Sequence, residues 1–280
     1  MSCLAHHNNI LNIFGYGWNI ERSGPIPFLV TEFAAEGTLR SFLKNNEVSL
    51  HEKLLFCKDV AQGIHSLHVS GIAHGDLKLD NVLVTPYIAS AATPLEQDLF
   101  EASRTSGLSA CISDFGHSLH LYDDEGDSNV KQRYGGTLAY NAPEILGEQR
   151  HTRDNVNFRK CDVWSLGLLC WEVLIDGHAY YHNSDVQQGI ISQQRSASNS
   201  TASSSYNPSQ ASSASILEEL IIIAPQLVDI ACQDVSKRVD GMLSSREIDR
   251  LLFLFQKCLQ SDPEKRLVDI PLLPLLSKHE

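Results

Sequence analysis

Pairs of cysteines at redox or metal-binding spacing are missing from this chain. Its seven cysteines, at 3, 57, 111, 161, 170, 232 and 258, contain no C-x-x-C and are odd in number. Most fall inside apolar runs, so they read as reduced core thiols, which argues against a disulfide framework or a structural zinc site. Positive charge is also scarce: 22 Lys and Arg stand against 34 Asp and Glu, a formal net charge of -12. That is the wrong sign for a main partner that is a nucleic-acid backbone or an anionic membrane. The longest greasy stretch, 216–232, is broken by Glu218, Glu219, Pro225 and Asp229, which rules it out as a membrane span. Met1-Ser2-Cys3-Leu4-Ala5-His6-His7 lacks a basic region followed by an apolar one, so no signal peptide is expected. These absences point to a soluble, intracellular and cytoplasmic protein.

What is present is patterned. Ile10 to Trp18 and Phe28 to Glu32 are short β-rich runs separated by Ser23-Gly24-Pro25, the signature of two strands joined as a hairpin. Thr38 begins a short helical run, Leu39-Arg40-Ser41-Phe42-Leu43. Ser49 with Glu52 has capping-box spacing and opens a helix to Val69. Leu54, Cys57, Val60, Ala61, Ile64, Leu67 and His68 form its buried stripe. Asp162 to Ile175 is apolar on nearly every side and predicts a buried central helix. Ser244 and Glu247 repeat the capping-box spacing ahead of the apolar face Leu251, Leu252, Phe255, Cys258 and Leu259.

Three segments break the pattern. Residues 85–109 are rich in Ser, Ala and Thr and read as an inserted surface loop, with a helical turn around Leu95 to Ala102. His117 to Arg133, with Asp123-Asp124-Glu125-Gly126-Asp127, reads as a mobile loop. Residues 192–215 hold 11 Ser in 24 positions, too little apolar surface to order themselves.

The chemistry concentrates in His74-Gly75-Asp76-Leu77-Lys78-Leu79-Asp80-Asn81 and in Asp114-Phe115-Gly116. Phosphoryl transfer needs a group to orient the attacking hydroxyl, divalent cations to bridge the phosphates, and positive charge on the transferring group. Asp76 can accept or orient the hydroxyl proton, Lys78 supplies a mobile charge, and Asn81 and Asp114 supply hard oxygen ligands for Mg2+. Gly116 lets the backbone turn sharply. Taken alone, the first stretch could be a polar turn after a helix and the second an ordinary strand end. In this order and spacing they point to phosphotransfer.

In this arrangement the chain resembles the eukaryotic protein kinase family, of serine/threonine type. The resemblance extends to Gly135-Gly136-Thr137-Leu138-Ala139-Tyr140-Asn141-Ala142-Pro143-Glu144, to Asp162-Val163-Trp164-Ser165-Leu166-Gly167, and to Cys258-Leu259 through Asp262-Pro263 to Arg266. It implies an α+β, protein-kinase-like fold over 1–280: a helical large lobe (33–280) carrying the last strands of the small lobe and the hinge (1–32), with insertions near 85–109 and 192–215. It further implies ATP and Mg2+ as cofactors and a protein as substrate. Thr31 would be the gatekeeper, the backbones of Glu32 and Ala34 would bond adenine, and Leu83 would form the floor under the base. Lys78 with Thr137 matches the serine/threonine pattern, Glu144 would pair with Arg266, and Asp162 would hold the backbone of the 74–81 loop. For Thr31, Leu83 and Trp164, core packing alone is an equal explanation.

Two departures qualify the expectation. Gly75 stands where most relatives have Arg, which casts doubt on the usual activation by loop phosphorylation. No G-x-G-x-x-G loop and no V-A-I-K-like strand precede Ile10 in the sequence. Positioning of the β- and γ-phosphates is therefore incomplete, and the 280 residues are expected to transfer phosphate very slowly or not at all. A kinase-like binding module is the alternative. A small-molecule phosphotransferase of the aminoglycoside and choline kinase type is a third, disfavoured by the Ala-Pro-Glu and Asp-Val-Trp-Ser-Leu-Gly segments.

Overall fold

The computed structural model describes residues 7–22, 24–87, 104–121, 135–146, 156–197 and 213–267. The aromatic and β-branched residues after Asn12 form an antiparallel ribbon of β1 (Ile13–Glu21) and β2 (Gly24–Thr31). Gly24 and Pro25, expected in the turn, are already paired across the ribbon with Glu21 and Ile20. The Phe28 ring lies over Gly17, where a Cβ would meet it at 2.5 Å, so ring and glycine complement one another across the strands. Phe14, Tyr16, Trp18 and Ile20 on β1 and Leu29 on β2 stay exposed.

Beyond the connector after Thr31, the Thr38 side chain accepts the Ser41 N–H and starts α1 (Leu39–Asn45). Ser49 then accepts the Glu52 N–H at 3.2 Å and starts α2 (Leu50–Val69). Every residue of the predicted stripe, His68 included, is buried. The second half of the expected capping box is different: the Glu52 carboxylate turns away from the helix start to accept the Thr105 hydroxyl at 3.0 Å and the Ser106 N–H at 2.7 Å.

Next come β3 (Ile72–Ala73), β4 (Val82–Pro86), β5 (Leu108–Ile112) and β6 (Leu119–His120). They pair as β3–β6 and β4–β5, both antiparallel. The described residues at the two ends of the segment between β4 and β5 are tied down. The Tyr87 N–H donates to the Gly107 carbonyl at 2.8 Å, and Arg104 grips Asp59 of α2 at 2.5 and 3.0 Å. The helical turn expected around 95–102 and the acidic stretch 123–127 lie outside the described residues.

The remaining elements are helical: α3 (Pro143–Leu146), α4 (Phe158–Leu174), α5 (Ser184–Ala197), α6 (Ser213–Ile223), α7 (Leu227–Val239) and α8 (Ser245–Cys258). The run expected from 162 to 175 is α4, and all its residues from Lys160 to Leu174 are buried, as an all-round apolar helix must be. It packs between α2 on one side and α7 and α8 on the other. Both halves of the Ser244–Glu247 capping box are present. Helices α5 and α6 reach into the two ends of the Ser-rich stretch, further than its composition indicates. Cys57, Cys111, Cys161, Cys170 and Cys258 are buried free thiols and Cys232 is half-buried. Among the described residues no helix is long and apolar enough to cross a membrane. The architecture is α+β: a helical body with, among the described residues, three small sheets.

Candidate active site

The 74–81 loop leaves β3 and returns into β4, and the buried Asp162 of α4 holds its start. The Asp162 carboxylate accepts the His74 N–H at 2.7 Å and the Gly75 N–H at 3.0 Å, and lies 2.9 Å from His68 Nε2. His68, read from sequence only as part of a core stripe, is thus also the partner of a buried carboxylate. His74 in turn faces the Ser113 carbonyl at 3.0 Å through Nε2 and accepts the Asp76 N–H at 3.2 Å through Nδ1. That bond makes Nδ1 the acceptor, so the ring proton sits on Nε2.

Asp76 is the centre of the cluster. Its Oδ2 receives Lys78 Nζ at 2.7 Å and Asn81 Nδ2 at 3.0 Å, and its Oδ1 receives the Thr137 N–H at 2.7 Å. Burial pushes this carboxyl upward, but the Lys78 ammonium and the Thr137 hydrogen bond outweigh it and hold the group below the usual carboxylate range. Lys78 Nζ also donates to the Thr137 hydroxyl at 2.6 Å. Asn81 gives its amide nitrogen to the Asp76 carbonyl at 2.8 Å as well, which leaves its amide oxygen as the ligand-capable end.

The backbone leading into Asp114 is fastened beside Asn81 through its neighbour. The Ser113 N–H and hydroxyl both donate to the Asn81 carbonyl, at 2.8 and 2.9 Å. Asp114 itself is exposed, in a left-handed conformation (φ 60°, ψ 74°), and one carboxylate oxygen accepts the Gly116 N–H at 3.3 Å. Among the described residues no three His, Cys, Asp or Glu side chains gather as a metal cluster. The donors on hand are one carboxylate and one amide oxygen, a hard set that fits a cation completing its shell with phosphate and water, as Mg2+ does.

The segment that begins at Gly135 docks on this cluster through Thr137. Thr137 begins a tight turn to Tyr140 and leads into α3, where Glu144 pairs with Arg266 at 2.6 and 2.7 Å. The pairing expected between positions 122 residues apart is therefore made.

With this geometry in place, a family comparison decides the affiliation: the protein kinase domain matches residues 1–272. The chain belongs to the protein kinase family. Similar kinases include "Tyrosine-protein kinase TXK" of Homo sapiens, 29% identical over 66% of this chain and 29% of the relative. Another is "Serine/threonine-protein kinase shk1/pak1" of Schizosaccharomyces pombe, 30% identical over 64% of this chain and 22% of that protein. A third is "Activin receptor type-1-like" of Homo sapiens, 29% identical over 61% of this chain and 32% of that protein. The chain thus aligns with less than a third of the length of each of these relatives.

The connector expected to form the adenine edge is held from both sides. Glu32 N–H donates to the Asn12 carbonyl at 3.0 Å, so of its two backbone groups only the carbonyl remains to a ligand. The Ala34 N–H has no hydrogen-bond partner among the described residues. Thr31 is exposed, with its hydroxyl on the Glu32 carbonyl at 3.2 Å. Leu83 is half-buried on β4 and bridges to Thr38, while the Val84 N–H donates to the Gly37 carbonyl at 2.9 Å. The connector and the strand carrying Leu83 are thereby fastened together.

Gly75 is more than a lost arginine. Its φ is +80°, and a Cβ there would lie 2.4 Å from the His117 carbonyl oxygen. The segment after Asp114 closes directly over it. Sequence reasoning also passed over Glu172 and its partner Arg40. The signal available was a carboxylate inside the apolar run of α4, since a buried charge requires a partner.

Proposed function

We propose that the chain is a serine/threonine protein kinase, transferring the γ-phosphate of Mg-ATP to a hydroxyl of a protein substrate. The observation that carries the proposal is the Asp76 carboxylate, kept ionised and aimed by Lys78, Asn81 and Thr137 at the junction of the 74–81 loop and the acceptor-side segment. There it would orient the incoming hydroxyl and take its proton, while the Lys78 ammonium offsets charge on the transferring group. Asn81 and Asp114 would hold Mg2+, which would supply positive charge to offset that of the phosphates. The Glu32 carbonyl and the Ala34 N–H would meet the adenine edge, with Leu83 beneath the base and Thr31 behind it. The Lys78–Thr137 contact supports hydroxyls of Ser and Thr as acceptors, although relatives of both serine/threonine and tyrosine type resemble the chain.

Calorimetric titration with Mg-ATP and with ATP in EDTA, on wild type and Asp114→Ala, tests the nucleotide half. Binding that needs Mg2+ and is lost in the variant is expected; binding indifferent to both would leave a kinase-like binding module. Radiolabelled phosphate transfer to mixed Ser, Thr and Tyr peptides tests the chemistry. Label on Ser and Thr that vanishes in Asp76→Ala supports the assignment, and label on Tyr alone would overturn the acceptor class.

A further inference from the structure

Arg40, in the first turn of α1, joins segments that lie far apart in sequence. Its Nε donates to Asp80 Oδ2 at 2.8 Å, and its Nη1 to the Gly177 carbonyl at 2.9 Å. Its Nη2 donates to the Tyr140 hydroxyl at 2.6 Å and to Glu172 Oε2 at 2.9 Å. Glu172 is fully buried in α4 and also receives the Tyr140 hydroxyl at 2.9 Å and the Tyr180 N–H at 3.0 Å. Burial raises the Glu172 carboxyl, and the Arg40 charge opposes that rise.

A buried ion pair is a poor source of stability, because desolvation offsets much of the attraction. The Asp80 arm adds little either: its side chain is 49% exposed and would be hydrated without help. What the arrangement fixes is distance. Asp80 lies next to Asn81, Asn81 is bonded to Asp76, Asp76 accepts the Thr137 N–H, and the Thr137 turn ends at Tyr140. Tyr140 receives Arg40, and Arg40 returns to Asp80. The contacts form a closed ring around the gap between the proposed base and the acceptor-lining segment.

Building on the phosphotransfer proposal, we propose that Arg40 is a positioning residue for it. The guanidinium sets the 74–81 loop against the Thr137–Tyr140 turn and ties both to the helix that follows the nucleotide connector. It touches no reacting atom and acts through Asp80 and Tyr140.

The test is amide hydrogen exchange by mass spectrometry on the full chain, comparing wild type with Asp80→Ala, which cuts only the loop arm. The Thr137 and Asn81 N–H groups are the reporters, being bonded to Asp76 and to the Lys78 carbonyl. Exchange across 76–81 and 137–140 should quicken by about fivefold or more while α2 and α4 keep their protection. Unchanged exchange in those two segments would overturn the proposal, whether or not the chain turns over. A general rise that includes α2 and α4 would also overturn it, by showing a merely structural role. Kinetics give an independent arm. Where wild type transfers phosphate, Asp80→Ala should lower kcat by about tenfold with the Kd for Mg-ATP unchanged, and equal kcat would refute the role. Absence of both Mg2+-dependent ATP binding and transfer in wild type would sink the phosphotransfer proposal and leave the exchange result to judge Arg40. Arg40→Met should show the same local exchange plus a lower Tm from the orphaned Glu172, with added guanidinium at low millimolar concentration restoring both.

Discussion

Placing a methyl group on residue 75 is the sharpest physical test of how the site is packed. In Gly75→Ala the new Cβ would sit 2.4 Å from the His117 carbonyl oxygen and 3.2 Å from its carbon, with φ at +80°. The left-handed backbone costs a residue with a side chain about 1–2 kcal/mol, and forcing a contact of this kind adds about 1–3 kcal/mol. Neither partner can retreat freely. The Gly75 N–H is bonded to Asp162, the Ser118 hydroxyl reaches the His74 carbonyl at 3.3 Å, and Leu119 is paired with Ala73. A loss of about 3 kcal/mol is therefore expected. Gly241→Ala is the control, because Gly241 has φ +74° and nothing within 4 Å of its Cβ position; it should lose only about 1 kcal/mol. Urea unfolding midpoints at constant m give both values. Equal losses in the two variants would refute the claim that His117 packs on residue 75. Gly75→Arg should destabilise at least as much as the alanine.

The Glu144–Arg266 pair should show strong coupling in a cycle of Glu144→Gln, Arg266→Met and the double variant. Glu144→Gln alone should cost about 3 kcal/mol, since it strands a guanidinium whose side chain is 0% exposed; additive losses would show that the Gln260, Lys160 and Ser261 carbonyls suffice for Arg266. A pH dependence is expected from His7, whose Nδ1 accepts the Asn9 N–H and whose Nε2 meets the Ser66 hydroxyl at 2.8 Å. Burial lowers its pKa below the ordinary 6.5, so the unfolded chain takes up the proton first. Its contribution is complete above about pH 6.5 and is lost as the pH falls from there toward the folded value. Urea midpoints of wild type should drop more between pH 7.5 and 5.5 than those of His7→Gln, and parallel drops would remove His7 as the cause.

Most of the fold was legible because its signals are local. Ser49, Ser244 and Thr38 mark helix starts through a bond to an amide three residues on, and the 162–175 run announces a buried helix by having no polar face. The failures in and around the site share one cause, namely partners distant in sequence. Glu52 has the spacing of a capping box, yet its carboxylate serves Thr105 and Ser106, more than fifty residues away. Arg40 looks like a surface residue of a short helix until residues 80, 140, 172 and 177 arrive around it. Gly75 reads as a missing side chain, and only the path of the backbone through 117 shows that the space is filled. The members of the candidate site were named by their motif spacing. Their mutual geometry, above all the Thr137 N–H on Asp76, depends on where a segment 61 residues downstream docks.

The anchoring of the β4–β5 insertion has a practical side. Glu52 and Asp59, on one face of α2, hold residues 104–106, and the Tyr87–Gly107 bond closes the base. Residues 104–110 are therefore held to α2 by two carboxylates. Cutting one tie, as in Asp59→Asn, should loosen Arg104 and the Ala110 N–H while the 74–81 loop keeps its own bonds, which gives a handle on β5 that does not enter the site.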